Sequence, residues 1–345
     1  MKNGKLGVGV FGLGWVAGEH INAYLANPKC EIRALASRKK ETAEKKKKEL
    51  GIGCDVVGSY DELISRDDID IVSLCSPNFL RAEEIIKACK AGKHIYAEKP
   101  MVHTLDQLKA VKNAYDEAKK KYNLKSVVGL VVNFVPHFLS IKSLIEKGGL
   151  GKLFYVETDY WHEIGPWWSG WAWGANTKAG GASTPLLAGV HALGILMSIG
   201  GDISEVTAYK TFGHRKDYEY EPTYTSIVKF TNGAIGKTGG SFEIECPYHF
   251  GIMIHGSKGS VINEKFYTKE FFAGQEGFQT FNCALADSGD VTHHPFRDVI
   301  NAFVEDIETG KDSGISLDFG IKVHELAIAI DISAEKGAPV KLPLL

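Results

Sequence analysis

The chain has 345 residues, of which 44% are hydrophobic and 24% are charged, with a formal net charge of −2. These proportions are typical of soluble globular proteins, so disordered, fibrous and membrane classes are disfavoured. The near balance of 40 basic and 42 acidic residues lacks the positive excess that binding to nucleic acid or an anionic membrane requires. We therefore expect a small-molecule partner, and the length predicts about two domains.

The first 130 or so residues alternate between short apolar runs and helical patterns, which predicts βαβ units and a parallel sheet. Apolar or β-branched runs predict strands at 6–11, 31–36, 69–75, 94–97 and 127–132. Helical spacing predicts helices at 16–25, 81–91 and 105–122. Thr104 and Gln107 form a capping-box pattern at the start of the last helix.

After about residue 134 a predicted helix at 137–147 is followed mainly by strand patterns, which predicts a largely antiparallel sheet. The predicted strands are 153–161, 203–212, 224–230, 234–244, 250–256 and 259–262. Asn232-Gly233 predicts a type I′ hairpin turn, because both residues tolerate positive φ angles. Helices are predicted at 297–308 and 319–336.

The six cysteines fall at irregular spacings without a C-x-x-C pair, which is neither a zinc pattern nor a disulfide framework. They are predicted to be buried thiols, and no metal site is expected. The apolar stretch 6–15 is interrupted by glycines and is not followed by a cleavage site, so we interpret it as a strand and turn of a mature cytoplasmic protein.

A glycine-rich motif follows the first predicted strand directly. It consists of Gly12, Leu13, Gly14, Trp15 and Val16, and Ala17 then occupies the third small position of a G-x-G-x-x-A pattern. One glycine permits the tight turn, the next lets backbone approach a diphosphate, and the helix N-terminus favours the anion. In this position the motif predicts dinucleotide binding.

The end of the second strand bears on the choice of nucleotide. An NAD site usually has an acidic residue here, whereas arginine accommodates the 2′-phosphate of NADP. Ser37 and Arg38 supply a cation and no acid. We predict NAD or NADP with a preference for NADP; the alternative is that Arg38 only stacks on the adenine.

The order of several further motifs resembles the Gfo/Idh/MocA oxidoreductase family across nearly the whole chain. After the glycine motif come Cys75-Ser76-Pro77-Asn78, Ala97-Glu98-Lys99-Pro100, Asn133 at the end of the last strand, Gly180-Gly181, and Gly189-Val190-His191. The resemblance implies an α/β Rossmann domain at 1–134. It also implies an α+β domain with a large, mostly antiparallel open sheet at 135–345, whose last helix is able to pack back on the first domain. The outer face of that sheet commonly forms homodimers or homotetramers in this family.

The resemblance also implies roles for individual residues. Lys99 matches the catalytic lysine, often followed by a cis peptide bond, and His191 matches the histidine that faces the nicotinamide. The implied cofactor-binding residues are Gly12, Leu13, Gly14, Trp15, Val16, Ser37, Arg38, Ser76, Pro77, Asn78, Arg81, Glu98 and Lys99. The implied substrate residues are Asn133, Trp161, His162, Trp173, Lys178 and His191.

Three positions depart from the family pattern. Relatives carry an acid four residues before the histidine, where this chain has Leu187, and often an aspartate three residues after it, where this chain has Gly194. Many relatives also have a histidine at the position of Arg81. The expected relay is therefore Lys99 and His191 alone, unless Asp159, His162 or Glu163 substitutes for the missing acid.

Five of the six tryptophans lie between residues 161 and 173. Flat aromatic faces beside polar groups suit a carbohydrate, and tryptophan is equally enriched at subunit interfaces. The leading hypothesis is an NAD(P)-dependent dehydrogenase for a sugar, glycoside (at C3, for example) or cyclic polyol. The alternatives are an NAD-retaining glycoside hydrolase that acts by oxidation and elimination, and a catalytically inactive NAD(P)-bound sensor.

Overall fold

The computed structural model describes residues 4–177, 182–285 and 294–345. The chain forms two compact units. The first comprises the residues up to Gly129 together with Pro295–Ile321, and the second comprises Leu130–His294 together with Lys322–Leu345. The predicted domain boundary at residue 134 stays a prediction. The division between the two compact units lies between Gly129 and Leu130.

The first unit is built on a parallel sheet of six strands. They are β1 (Leu6–Phe11), β2 (Cys30–Ala36), β3 (Asp55–Val57), β4 (Ile71–Leu74), β5 (His94–Ala97) and β6 (Ser126–Val128). The strand order is β3-β2-β1-β4-β5-β6, the arrangement of a dinucleotide-binding Rossmann sheet. Strands β1, β4 and β6 are buried along their whole length, as expected for a sheet covered on both faces.

Six helices and part of a seventh belong to this unit among its described residues. They are α1 (Ala17–Ala26), α2 (Lys40–Leu50), α3 (Tyr60–Ile64), α4 (Asn78–Ala91), α5 (Leu105–Tyr122), α9 (Phe296–Thr309) and the start of α10 (Leu317–Lys336). The Thr104 hydroxyl accepts the N–H of Gln107 at 3.2 Å, which confirms the predicted start of α5. The Gln107 side chain accepts the N–H of His103 instead of that of Thr104.

The second unit carries a nine-stranded sheet. Its strands are β7 (Leu153–Trp161), β8 (Ile203–Thr211), β9 (Thr223–Phe230), β10 (Ile235–Ser241), β11 (His249–Gly256), β12 (Gly259–Ile262), β13 (Lys265–Thr268), β14 (Gln279–Thr280) and β15 (Val340–Lys341). The order is β14-β13-β12-β11-β7-β10-β9-β8-β15, and the pairing of β10 with β7 is parallel while the other pairings are antiparallel. The predicted fold class is therefore confirmed.

The helices of the second unit are α6 (Pro136–Glu146), α7 (Trp171–Gly174), α8 (Val190–Gly200) and the remainder of α10. Helix α8 lies against β7, and the Thr158 hydroxyl donates to the carbonyl of Ala192. This contact fixes the helix that carries His191 on one face of the sheet.

Two local predictions are wrong. The strand predicted at 127–132 ends at Val128, and Val131–Phe134 forms a 3₁₀ turn; a short buried β-branched run does not by itself distinguish strand from helix. The hairpin turn is not type I′, because Gly233 has a φ of +88° whereas Asn232 does not have a positive φ. The Gly233 N–H bonds to the carbonyl of Phe230, as in the three-residue loop that ends in a left-handed glycine.

All six cysteines are free, but the prediction that they are buried holds for Cys30, Cys54, Cys75 and Cys89 only. Cys246 is exposed and Cys283 is half-buried.

Candidate active site

The glycine turn after β1 is held against the loop that follows β4. Gly12 has a φ of +83°, and a Cβ at this position would lie 2.3 Å from the backbone nitrogen of Ser76. Its N–H donates to the carbonyl of Ala36 at 3.1 Å, and the Cys75 N–H donates to that of Phe11 at 2.8 Å. The turn therefore joins the carboxyl ends of three neighbouring strands.

The rest of the motif leaves room for a ligand. A Cβ on Gly14 would meet no atom within 4 Å. Leu13 is buried, Trp15 is 56% exposed, and Ala17 is fully buried as the close-packing position of the motif requires. Val16 precedes α1, and its side chain does not cap the helix. The backbone N–H groups of the first turn of α1 therefore have no side-chain acceptor from this position.

The loop after β4 contains a buried amide suited to a nucleotide. Asn78 is 2% exposed, and neither its Nδ2 nor its Oδ1 has a hydrogen-bond partner among the described residues. A buried amide without partners is costly unless a ligand satisfies it. Together with the space above Gly14, this observation shows that the residues present fit a dinucleotide.

Ser76 and Pro77 precede Asn78 in this loop. The Ser76 hydroxyl donates to Glu84 at 2.5 Å. Beside them, at the end of β2, Ser37 is half-buried and Arg38 is exposed. No carboxylate forms an ion pair with Arg38 in the part of the chain that the structure describes.

Lys99 follows β5 at the same edge of the sheet, and its peptide bond to Pro100 is cis. The side chain is half-buried. Burial lowers the pKa of Lys99 below its usual value, the Glu98 carboxylate opposes this shift, and the Arg81 guanidinium adds to it. The lysine is thus biased toward the neutral amine that a general base requires.

Arg81 connects the two loops that flank this edge. It is 3% exposed, its Nη1 donates to the Pro100 carbonyl at 2.7 Å, and its Nη2 donates to the Ser76 carbonyl. Burial lowers the pKa of its guanidinium, which remains charged because an arginine pKa lies far above neutrality. The residue that replaces the family histidine is therefore a buried clamp between the Ser76 loop and the Lys99 loop.

His191 lies in the first turn of α8 in the second unit and is 5% exposed. The preceding π-helical turn, Pro185–Gly189, ends at a glycine whose Cβ would lie 2.7 Å from the hydroxyl oxygen of Tyr224. The His191 ring stacks on Tyr160 with centroids 6.2 Å apart. Gly189 therefore allows the Tyr224 hydroxyl to approach the backbone closely two residues before His191.

The candidates for a substitute acid differ in their location. Thr158 and Tyr160 of β7 face α8, so the alternate residues Asp159 and Trp161 face the other side of the sheet. A Cβ on Gly239, which pairs with Asp159, would lie 3.1 Å from Asp159 Oδ1 and 3.4 Å from the Trp161 ring. Asp159 therefore does not lie on the face of the sheet that carries His191. Trp161, a predicted substrate residue, does not lie on that face either.

His162 and Glu163 follow β7. The Tyr160 hydroxyl and His162 Nδ1 are 3.2 Å apart, so His162 joins His191 through Tyr160. Glu163 instead accepts from Trp167 Nε1 at 2.7 Å and from Arg215 at 3.1 Å. Of the three candidates, His162 is the one that reaches the His191 face. Leu187, which occupies the position of the family acid, is buried.

Asn133 lies against the helix that carries His191. A Cβ on Gly194, one turn after His191, would lie 3.1 Å from Asn133 Nδ2. Asn133 Oδ1 accepts from the Lys142 amine at 3.1 Å, and burial lowers the pKa of Lys142 to about 8. Lys142 was not predicted from the sequence, because a lysine in an amphipathic helix gives no signal of its own.

The tryptophan segment packs largely on itself and its neighbours. The rings of Trp168 and Trp173 meet edge to face at 5.1 Å, and Trp171 meets Tyr218 at 4.9 Å. Arg215 lies over the rings of Trp171 and Tyr218. Trp167 is 60% exposed. The predicted substrate residue Trp173 is thus half-buried in this cluster, and Lys178, with Gly180 and Gly181, lies outside the described residues.

In the described ranges no group of three or more His, Cys, Asp or Glu side chains could hold a metal ion. Among the described helices, none combines the length and the apolar character needed to span a bilayer.

Two family models match most of the chain. Residues 6–126 match the Gfo/Idh/MocA oxidoreductase family, NAD-binding Rossmann fold, and residues 142–342 match its C-terminal alpha/beta domain. An uncharacterized oxidoreductase of Streptococcus pneumoniae serotype 4 is 27% identical over 291 residues, which are 82% of this chain and 76% of that protein. The levoglucosan dehydrogenase of Pseudarthrobacter phenanthrenivorans is 24% identical over 75% of this chain and 73% of its own length.

Solved structures share the fold. A levoglucosan dehydrogenase in complex with NADH and levoglucosan superimposes with a TM-score of 0.86 at 22% identity, covering 99% of this chain and 100% of the other. At this identity the similarity shows the fold alone.

Proposed function

The chain belongs to the Gfo/Idh/MocA oxidoreductase family, and from this premise we propose that it transfers a hydride between NAD(P) and a secondary hydroxyl carbon of a sugar, glycoside or cyclic polyol. It is an NAD-binding oxidoreductase that acts on CH–OH groups. The sugar substrate is supported by the relative named levoglucosan dehydrogenase. A glycoside oxidised at C3 is the narrower proposal.

The observation that carries the mechanism is the position of Lys99 at the end of β5 together with its lowered pKa. Its burial and the nearby Arg81 charge lower its pKa below that of an exposed lysine, which favours the neutral amine that a general base requires. The amine takes the proton of the substrate hydroxyl during oxidation and returns it during reduction. When bound, the nicotinamide ring supplies the acceptor or donor of the hydride.

His191 is proposed to orient the substrate oxygen. Its ring is fixed by the Tyr160 stack and by the approach that Gly189 permits, so it needs little reorganisation to hold a hydroxyl. Asn133 and His162 are proposed as further substrate contacts, because Asn133 lies beside Gly194 and Tyr160 links His162 to His191.

For the cofactor we propose use of both nucleotides with a preference for NADP. The exposed Arg38 at the end of β2, with no acid beside it at Ser37, supports this preference. One relative is named D-xylose 1-dehydrogenase (NADP(+)) 2. Titration of both reduced nucleotides is the test, and tighter binding of NADH by about tenfold, or about 1.4 kcal/mol, would reject the preference.

We also propose a homodimer or homotetramer formed through the outer face of the large sheet. On this face Ile227 is 64% exposed and Ile235 is 51% exposed. Ile227 of β9 pairs with Lys237 of β10, and Ile235 of β10 pairs with Tyr155 of β7. Large exposed aliphatic side chains in the middle of a sheet face are typical of an interface. Sedimentation equilibrium measures the assembly directly, and a monomer at micromolar concentration would contradict it.

The function is tested by comparing Lys99→Met with Lys90→Met, a matched change at an exposed lysine of α4. We expect Lys99→Met to lower kcat by about 10²–10⁴, the usual contribution of a general acid/base, and to change nucleotide affinity far less than kcat. Lys90→Met should match the unmodified enzyme. The assay is a sugar and polyol panel followed at the absorbance band of the reduced nicotinamide.

Two other results would replace this proposal. Release of an aglycone from a glycoside without net change in that band would indicate the hydrolase. Nucleotide binding without turnover of any substrate in the panel would indicate the sensor.

A further inference from the structure

A buried hydrogen-bond network lies behind Lys99 in the first unit. His20 of α1 is fully buried, with Nδ1 2.7 Å from the Ser73 hydroxyl and Nε2 3.1 Å from Glu98 Oε1. The other carboxylate oxygen, Oε2, accepts the backbone N–H of Lys99 at 3.2 Å. Glu98 thus connects His20 directly to the backbone of the proposed catalytic lysine.

The position of this carboxylate is fixed on several sides. A Cβ on Gly129 would lie 2.5 Å from Glu98 Oε1, so the glycine leaves the space that the carboxylate fills. The His20 ring is held by edge-to-face contact with Tyr96 at 4.3 Å and by Phe296 at 5.1 Å. These contacts fix the orientation of the ring toward the carboxylate.

His20 and Glu98 form a charged pair. Burial alone would lower the pKa of His20, but its interactions with the Cys75 side chain and with the Glu98 carboxylate raise it to about 10. Burial alone would raise the pKa of Glu98, but the hydrogen bond and the charge of His20, with help from Lys99 and Arg81, lower it. Each group therefore favours the charged form of the other, and removal of one leaves the other as an uncompensated buried charge.

We propose that His20 is a positioning residue for the catalytic lysine: by holding Glu98 and balancing its charge, it sets the electrostatic environment of the Lys99 amine. This inference rests on the proposed function, because it assigns a role relative to Lys99 as the general acid/base. His20 itself is sealed from the surface, so it acts through Glu98 and does not touch substrate.

The charges around Lys99 explain how His20 influences the proton affinity of the Lys99 amine. The ionisable groups that face this network come from α1, β5, α4 and the loops after β4 and β5: they are His20, Tyr24, Cys75, Arg81, Tyr96, Glu98 and Lys99. Glu98 stabilises the ammonium form of Lys99 and Arg81 destabilises it. The positive charge on His20 cancels much of the influence of Glu98, so the amine remains easy to deprotonate.

The test is the pH dependence of kcat/KM for alcohol oxidation in His20→Gln, Glu98→Gln and the double variant. Oxidation requires neutral Lys99, so activity rises with pH through the pKa of the lysine. His20→Gln keeps a hydrogen-bond donor for Glu98 but removes the balancing positive charge, while Arg81 and Lys99 still favour the Glu98 carboxylate. The rising part of the pH profile should therefore move to higher pH by about one unit, which is about a tenfold loss on the acid side and is recovered at alkaline pH. Glu98→Gln should move it to lower pH, and the double variant should return close to the unmodified position.

A purely structural role predicts a different pattern. In that case His20→Gln and Glu98→Gln would lower activity equally at all pH values. The rising part of the pH profile would then stay at the same pH, which would overturn the inference. The pH-dependent rate of acetylation of Lys99, followed by mass spectrometry, reports the same pKa without turnover and separates a folding defect from an electrostatic one. If Lys99→Met were fully active, the proposed function would fail; if Lys99 were essential while the rising part of the pH profile did not move in these variants, the role of His20 alone would fail.

Discussion

The two glycines of the nucleotide turn should respond differently to the same substitution. Gly12 combines a φ of +83° with a Cβ position 2.3 Å from the backbone of Ser76, whereas a Cβ on Gly14 meets nothing within 4 Å. Gly12→Ala must therefore adopt a conformation that costs about 1–2 kcal/mol and also displace backbone. Gly14→Ala should leave the protein itself undisturbed.

The expected magnitude follows from these contacts. Because the obstacle at Gly12 is backbone and not the end of a flexible side chain, we expect a total loss of at least about 2 kcal/mol. At about 2–4 °C per kcal/mol for a unit of this size, Gly12→Ala should lower the melting temperature of the nucleotide-free protein by about 4–8 °C. Gly14→Ala should keep that melting temperature but weaken NADH or NADPH by about tenfold or more, or about 1.4 kcal/mol, since its methyl group would occupy the proposed diphosphate position.

Differential scanning fluorimetry of the nucleotide-free protein and calorimetric titration with each nucleotide measure both quantities. The reasoning is refuted if Gly12→Ala melts like the unmodified protein, or if Gly14→Ala is destabilised as much as Gly12→Ala. If Gly14→Ala bound both nucleotides normally, the diphosphate would have to lie elsewhere.

Two further substitutions test the second unit. Gly189→Ala should crowd the Tyr224 hydroxyl, 2.7 Å from the new Cβ, and lower kcat by displacing His191; Gly189→Ala with Tyr224→Phe should recover much of the activity, and absence of recovery would contradict this contact. Burial raises the pKa of Asp159 to about 6 although Lys237 opposes the shift. An unfolded aspartate titrates near ~3.9. The contribution of Asp159 to the free energy of unfolding is therefore full below about pH 4 and is lost as the pH rises to about 6. Asp159→Asn should remove the resulting fall in melting temperature between these pH values, and an unchanged fall would exclude Asp159 as its source.

The parallel sheet could be predicted because its central strands are short apolar runs separated by helical patterns. Strand β5 was predicted with its observed bounds, and β1 likewise. The prediction was wrong where local preference and tertiary context disagree. Val131, Val132 and Asn133 are buried although they form a 3₁₀ turn. The last hydrogen bond between β5 and the end of β6 is that from the Gly129 N–H to the Ala97 carbonyl.

The candidate site could be predicted where motifs follow strands directly, as for Gly12, Asn78 and Lys99. It could not be predicted where the partner is distant in sequence. His20 lies 53 residues from Ser73 and 78 residues from Glu98, and nothing in the local pattern around it indicates either contact. The side of β7 on which Asp159 lies also depends on the register with β10 and on the location of α8, neither of which the spacing of residues determines.

In the proposed mechanism, Leu187 at the position of the family acid leaves proton transfer to Lys99. A carboxylate next to His191 would favour the charged imidazolium, but Leu187 is apolar and Asp159 faces the opposite side of the sheet. The group that stacks on His191 is the aromatic ring of Tyr160, whose hydroxyl lies 3.2 Å from His162. Such an environment suits a histidine that orients an oxygen by hydrogen bonding, while the charges that tune proton affinity, those of His20, Glu98 and Arg81, lie in the unit that carries Lys99. We therefore propose that orientation of the substrate oxygen belongs to the second unit and proton transfer to the first, and that neither requires an acid at position 187.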